Sequence, residues 1–433
     1  MNPQEIYKQK LCSPDRIVAQ FQNDWVIVSD AALAAPLAIY TALGNRAEKG
    51  ELKSIILNSF LDVIPMPCYD ENLSDIIKGT TWFSAGGGRG AVAKGIADVM
   101  PCHYSDAPAL IRDYTHIDTF CVRVSPMDKH GYFTTGCSAS ISEAMRNKAK
   151  RIYVEVNENM PRALSGPIIH ISQVEALCED NTPLVQLPVV ESDNESLAIG
   201  SLIAEEIANG STLQLGIGAI PNEVAKALIN KKNLGIHTEM LTDGMIDLIQ
   251  AGAVDNSLKP IHTGRTVATF ALGSKKIYDY IDDNPACLML PVDYVNNPNV
   301  IATHPNFVSV NAAVEVDFFG QVSAESIGTR HISGSGGQAD YVRGAVQSKG
   351  GKSFIAFPST SQKGSVSKIV STLQPGSIVT THKNEVDHVV TEYGIAKLRG
   401  HTLGQRTKAL ISIAHPKFRE ELTFEAKKRN III

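Results

Sequence analysis

Several features are scarce in this 433-residue sequence, and each scarcity excludes something. It has no long run of lysine or arginine, and its formal net charge is −5. Non-specific nucleic-acid binding and docking on an anionic membrane are therefore not expected. Its longest apolar stretches, such as the one inside residues 30–40, are about half a membrane span, and that one contains Pro36. The first ten residues are polar and charged, without the apolar region of a secretory signal. The seven cysteines (Cys12, Cys68, Cys102, Cys121, Cys137, Cys178 and Cys287) are an odd, scattered set with no CxxC pair. Neither a zinc cage nor a disulfide framework follows from them, and a reduced cytoplasm is the expected setting. The 12 histidines are dispersed, with no HExxH spacing, there is no GxSxG elbow, and no GK[ST] follows the glycine-rich residues 85–90 to make a phosphate loop. No metal is expected.

What is present reads as a well-filled globular chain, 43% hydrophobic and 20% charged. Its length predicts two domains of roughly 200 residues each. Short β-branched runs alternate with Ala-rich amphipathic segments, the pattern of α/β layering with mostly parallel sheets. In the first half, strands are predicted at 25–29, 52–57, 119–125 and 151–156, with helices at 30–43 and 141–149. The polar stretch 191–196 suggests a boundary, giving an N-terminal domain at 1–192 and a C-terminal domain at 193–433. The second half predicts strands at 212–215, 234–239, 352–357, 377–381 and 388–391, and helices at 221–229 and 242–250.

Leu215-Gly216-Ile217-Gly218 is a strand end followed by a GxG turn and a helix. Paired glycines at such a place let a ligand approach backbone N–H groups, and a helix start favours negative charge. Read alone, it serves equally as a plain strand-to-helix turn. In the next predicted strand, Gly235, His237 and Glu239 share one face and Leu234, Ile236 and Thr238 the other. Glu239 thus arrives near the carboxyl end of a parallel strand, where open α/β folds place ligands. By pattern alone a surface glutamate is the plainer reading. Residues 334–341 (GSGGQADY) match GxGxxA in letters, but lack a preceding strand and an acidic residue about 20 positions on, so a dinucleotide fingerprint is rejected. Arg89, in AGGGRG (85–90), is a reasonable carboxylate or phosphate contact, or simply an exposed side chain in a flexible turn.

Taken in order, longer segments resemble the acetyl-CoA hydrolase/transferase family, in particular its 4-hydroxybutyrate and butyryl-CoA:acetate CoA-transferase branch. The segments are VSPMDKHGYFTTG (124–136), EVNENMPR (155–162), GIGAIPNEV (216–224), GIHTEMLTDGMIDL (235–248), GQVSAESIG (320–328), SGSGGQADYVRGA (333–345) and VTEYGIAKLRG (390–400). The resemblance covers nearly the whole chain. It implies two CoA-transferase-type α/β domains with an active site at their junction, and Glu239 as nucleophile. It implies that the backbone of Leu215, Gly216, Ile217 and Gly218 lines the oxyanion and CoA site. Val314, Gly337 and Lys363 match CoA-contacting places, and Glu392 matches an accessory glutamate.

Acyl-CoA and short carboxylic acids would be the substrates, with no permanently bound cofactor, and a homo-oligomer is expected by analogy. One departure stands out. The turn before Arg89 is Ala85-Gly86-Gly87-Gly88, where many members of the branch carry Asn or His. The smaller side chains leave room for a bulkier or dicarboxylate acid, such as itaconate or succinate. Two other readings remain, a thioester hydrolase on the same fold and a catalytically silent CoA-binding protein.

Overall fold

The computed structural model describes residues 2–188 and 190–432. They form two compact units. The first comprises Met1–Leu187, Glu239–Leu241 and Val267–Val295; the second comprises Pro188–Thr238, Thr242–Thr266 and Asn296–Ile433.

The sheet of the first unit contains β1 (Trp25–Val28), β2 (Ile55–Ser59), β3 (Ile77–Thr81), β4 (Ala97–Val99), β5 (Thr119–Val124), β7 (Arg151–Val156) and β9 (Ala176–Glu179). A small antiparallel pair, β6 (Tyr132–Thr134) and β8 (Ile168–His170), stands apart from it. The strand order is β4-β3-β2-β1-β5-β7-β9 and every pairing is parallel. The order runs outward in both directions from β1 and β5, so the topological switch lies between them. Both faces of the sheet are covered, which is why β5 is buried at all six positions rather than alternating. Ile27, Leu57, Ile55, Ile39, Tyr40 and Leu43 are part of one apolar core.

The helix predicted at 30–43 forms later, at Leu37–Glu48, after a single 3-10 turn at Ala32–Ala34. Proline explains the delay. Pro36 has no N–H and its ring would clash with the carbonyl four residues back in a continuous helix, so the helix starts directly after it. No local side chain caps this start; instead Glu155 of β7 accepts from Ala38 N (2.7 Å) and Ile39 N (3.2 Å). Arg123 Nε on the neighbouring β5 donates to the same carboxylate at 2.7 Å.

The second sheet has β10 (Thr212–Leu215), β11 (Gly235–Leu241), β12 (Thr266–Ala271), β13 (Cys287–Met289), β14 (Phe307–Ala312), β15 (Lys352–Ala356), β16 (His388–Thr391) and β17 (Gly394–Lys397). Its order is β13-β12-β11-β10-β14-β15-β16-β17. The pairs β10–β11, β10–β14, β14–β15 and β15–β16 are parallel, and β17 returns antiparallel at the edge. The switch falls between β10 and β14. The strand predicted at 377–381 does not form; only an isolated bridge joins Thr381 to Val322. The turn Pro375-Gly376 (φ 85°) precedes it, and Glu315 ties Gln374 N and Ser377 Oγ instead, both at 2.9 Å.

Candidate active site

The carboxyl edge of β10, at the switch of the second sheet, is built by glycines. Gly218 has φ 120° and ψ −178°, a backbone region closed to side-chain-bearing residues, and it opens the helix Ala219–Ala227. That helix starts and ends two residues earlier than predicted, because Gly218 turns the chain sharply enough for Ala219 to enter it and Pro221 sits within the first turn. Ile217, between the glycines, is 56% exposed although apolar. The Gly216 N–H donates to Val310 O at 3.2 Å, as part of the sheet ladder. Of the turn, the N–H groups of Ile217 and Gly218 are left as candidates.

The neighbouring loops of the second unit converge on the same edge. Val314 follows β14, its N–H held by Ser323 O at 2.8 Å. Gly337 caps the helix Gln338–Gln347, and Gln338 Nε2 reaches back to Ala312 O, the last residue of β14, at 2.7 Å. Glu392 follows β16 and accepts from Ser359 N at 2.8 Å and from the Ser359 hydroxyl. Lys363 stands farther out, at the exposed tip of the turn joining Thr360–Ser361 to Val366–Ser367, with φ 56°. Sequence reading missed Lys368. Burial pushes its ammonium down to about 8, the charge of Glu392 opposes that, and its Nζ lies 5.1 Å from the centre of the Phe357 ring.

Glu239 lies on β11, which continues two residues past it to Leu241. Six of the seven residues of β11 are buried; Glu239 alone is half-exposed. The alternation expected for this strand does not separate an apolar face from a polar one, since His237 and Ile236 are both fully buried.

Arg89 is exposed and opens the five-residue helix Arg89–Ala93. The glycines before it have a structural use. A Cβ on Gly88 would stand 3.3 Å from Asp62 Oδ2 and 3.3 Å from the Tyr69 hydroxyl oxygen, whereas one on Gly86 would meet nothing within 4 Å. Asp62 is buried, which raises its carboxyl above the usual range against donors that include Tyr69 and Thr81.

A second buried carboxylate was also not anticipated. Asp30, directly beyond Ser29 at the end of β1, is fully buried and accepts from Ser140 Oγ (2.6 Å), Ser138 Oγ (3.1 Å) and the Ser142 hydroxyl. The signal available for it was Ser-x-Ser-x-Ser at 138–142, a period of two outside any apolar strand. Among the described residues no cluster of three metal-ligating side chains occurs, and no helix is long and apolar enough to cross a membrane.

Two α/β units and mostly parallel sheets, each with a switch point, give the architecture of a CoA-transferase. The chain belongs to the acetyl-CoA hydrolase/transferase family: residues 1–191 match its N-terminal domain and residues 273–426 its C-terminal domain. It is similar to the succinyl-CoA:cyclohexane-1-carboxylate CoA transferase of Geobacter metallireducens, with 47% identity over 98% of this chain and 97% of that one. It is likewise similar to the 4-hydroxybutyrate coenzyme A transferase of Clostridium kluyveri, with 43% identity over 99% of this chain and 100% of that one. Among solved structures, RipA from Yersinia pestis superimposes with a TM-score of 0.95 at 37% identity, covering 100% of both chains.

Proposed function

We propose that this chain transfers coenzyme A between an acyl-CoA and a short carboxylic acid, through a covalent thioester on Glu239. The observation that carries the reading is the single half-exposed residue of β11, a carboxylate in a strand otherwise buried from end to end.

Carboxylates are weak nucleophiles, so the exchange is divided into nearly isoenergetic steps. The Glu239 carboxylate attacks the thioester carbonyl, giving an acyl-glutamyl anhydride and CoA thiolate. The thiolate attacks the Glu239 carbonyl carbon, expelling the first acid as carboxylate and leaving glutamyl-CoA. The acceptor carboxylate then attacks that thioester, and the thiolate returns to the acceptor's carbonyl, restoring Glu239. Each tetrahedral oxyanion needs donors, and Ile217 N and Gly218 N are the proposed ones, at about 3 kcal/mol for each well-placed group. Val314, Gly337 and Lys363 would contact CoA, whose distant nucleotide supplies binding energy for strain at the thioester. Glu392, with Lys368 beside it, and Arg89 are the proposed accessory groups. CoA is a substrate here, not a resident cofactor.

Relatives named for 4-hydroxybutyrate, butyryl-CoA:acetate and butyrate:acetyl-CoA transfer support acetyl-CoA or butyryl-CoA as donor and an acid of the butyrate or 4-hydroxybutyrate type as acceptor, whereas one named for succinyl-CoA and cyclohexane-1-carboxylate supports a succinyl donor. A dicarboxylate acceptor is the alternative. The reading also includes a domain division at 192/193, a homo-oligomeric assembly and a cytoplasmic setting. The test is borohydride reduction or intact mass analysis of protein mixed with acyl-CoA, with peptide mapping. CoA on the Glu239 peptide, ping-pong kinetics over a panel of acids and no exchange by Glu239→Ala are expected. Adduct-free protein during turnover would end the proposal, and CoA release at full rate without any acid would make the enzyme a hydrolase.

A further inference from the structure

Between β15 and β16 the chain leaves the second sheet as a small hairpin, and the tip of that hairpin is set in an unfavourable conformation. Thr360–Ser361 runs antiparallel to Val366–Ser367, with Thr360 against Ser367 and Ser361 against Val366. The turn Ser361–Gly364 is closed by the Gly364 N–H, which donates to Ser361 O at 3.1 Å. Both central residues have positive φ, 50° at Gln362 and 56° at Lys363. That left-handed region crowds a residue with a side chain, and turns that need it twice are ordinarily built from Asn and Gly. Here the pair is Gln-Lys. Burial does not offset the strain, because Lys363 is exposed. Local strain of this kind persists where a ligand is met.

A ladder this short does not hold such a turn by itself, and the foot of the hairpin is moored to its surroundings. The Lys368 N–H donates to Ser359 O at 2.9 Å, continuing the ladder below Thr360. Lys368 O in turn accepts from Val316 N at 2.9 Å, and the Lys368 ammonium lies over the Phe357 ring. On the other side the Phe357 N–H donates to Val390 O of β16 at 3.1 Å. The last mooring is made by Ser359, which is fully buried. Its N–H donates to one oxygen of Glu392 at 2.8 Å and its hydroxyl to the other. Both carboxyl oxygens of Glu392 are thus engaged by one residue at the foot of the hairpin that carries Lys363.

We propose that Glu392 and Ser359 are positioning residues for CoA: they fix the foot of the hairpin so that Lys363 is held, against the preference of its own backbone, towards a phosphate group of the CoA nucleotide. The inference rests on the reading of Lys363 as a CoA contact. It deepens that reading by giving Glu392 a task in substrate binding rather than in the chemical step. An ammonium is a point charge suited to a phosphate, and a mount that is already ordered avoids the entropy lost when a free loop is fixed on binding. With the foot released, the turn relaxes towards negative φ and the ammonium leaves its place.

The test uses the full-length protein and CoA, with Kd from isothermal titration, melting temperature, and the rate of tryptic cleavage after Lys363. Lys363→Ala should weaken CoA binding roughly tenfold, the size of one hydrogen bond to a charged group. Ser359→Ala and Glu392→Ala should each weaken it by at least about threefold, and neither should weaken it further once Lys363→Ala is present, because both act through that side chain. Glu392→Gln keeps an oxygen for the Ser359 N–H and should lose less than Glu392→Ala. Tryptic cleavage after Lys363 should be several-fold faster in Ser359→Ala than in wild type, a direct reading of the released foot. Gln362→Asn, which suits positive φ, should raise the melting temperature and leave Kd within about twofold. Losses that add fully in the double variants, or unchanged cleavage in Ser359→Ala, would overturn the anchor. Wild-type CoA binding by Lys363→Ala would instead refute Lys363 as the CoA contact on which the proposal rests, so the two failures are distinct.

Discussion

Replacing Gly218 by alanine separates backbone geometry from bulk at the proposed oxyanion turn. Nothing lies within 4 Å of the added methyl group, so crowding contributes nothing. The cost comes from φ 120° and ψ −178°, a region essentially restricted to glycine, and is about 1–3 kcal/mol if the backbone stays in place. A chain that relaxes instead rotates the Ile217–Gly218 peptide and carries the Gly218 N–H away from its present direction. Losing one oxyanion donor costs about 3 kcal/mol, close to a hundredfold in kcat. Gly216→Ala is the control. Its methyl group would sit at 3.5 Å from Val310 O and 3.9 Å from Pro221 Cγ, ordinary contact distances, and its N–H stays in the ladder. Steady-state exchange assays on both variants, with melting curves, should show a large fall in kcat for Gly218→Ala and a change of less than threefold or so for Gly216→Ala. Equal damage in the two, or a Gly218→Ala enzyme that is merely less stable, would refute the assignment of the turn.

Two further outcomes concern stability. Burial, with Lys259 and His262 adding to it, pushes His304 down to about 3, whereas an unfolded histidine titrates near 6.5. Below about pH 6.5 the unfolded chain takes up a proton that the folded chain refuses, so stability falls as pH drops towards 3, by roughly 2 kcal/mol at pH 5. Urea unfolding at pH 8 and pH 5 should show a loss for wild type that is smaller by about that amount in His304→Phe; an identical loss in both would sink the idea. Arg123→Met leaves the fully buried Glu155 without its guanidinium partner and should cost about 3–5 kcal/mol in the same assay, even though Ala38 and Ile39 still donate to the carboxylate. A cost below about 1 kcal/mol would show that the backbone donors alone suffice.

The layers were legible because they depend on local pattern. The strands at 151–156, 212–215 and 388–391 were placed at their observed bounds, since β-branched runs between turn residues leave little freedom. Boundaries failed where distant groups intervene, as at the helix Leu37–Glu48, whose start is set by Pro36 and by a carboxylate more than a hundred residues away. Glu239 is proposed from its family motif, and its place as the one half-exposed residue of β11 follows only from the burial of the rest of that strand. Gly216 illustrates the limit. A GxG pair suggests two available amides, but which of them the sheet consumes depends on Val310, which is 94 residues later. Asp30 was illegible because its donors are three serines, none of which carries a signal singly.

Because Glu155 fills the start of the helix Leu37–Glu48, that start depends on residues that leave the ribosome well after it. A nascent chain that has emerged only as far as β5 has no acceptor for the amides of Ala38 and Ile39, and none of the serines that hold Asp30. The bend from Asp30 to Pro36 therefore depends on contacts that are supplied only once the chain extends through β7. A chain truncated before that point would hold the helix Leu37–Glu48 and the strands β1 to β5 without these contacts.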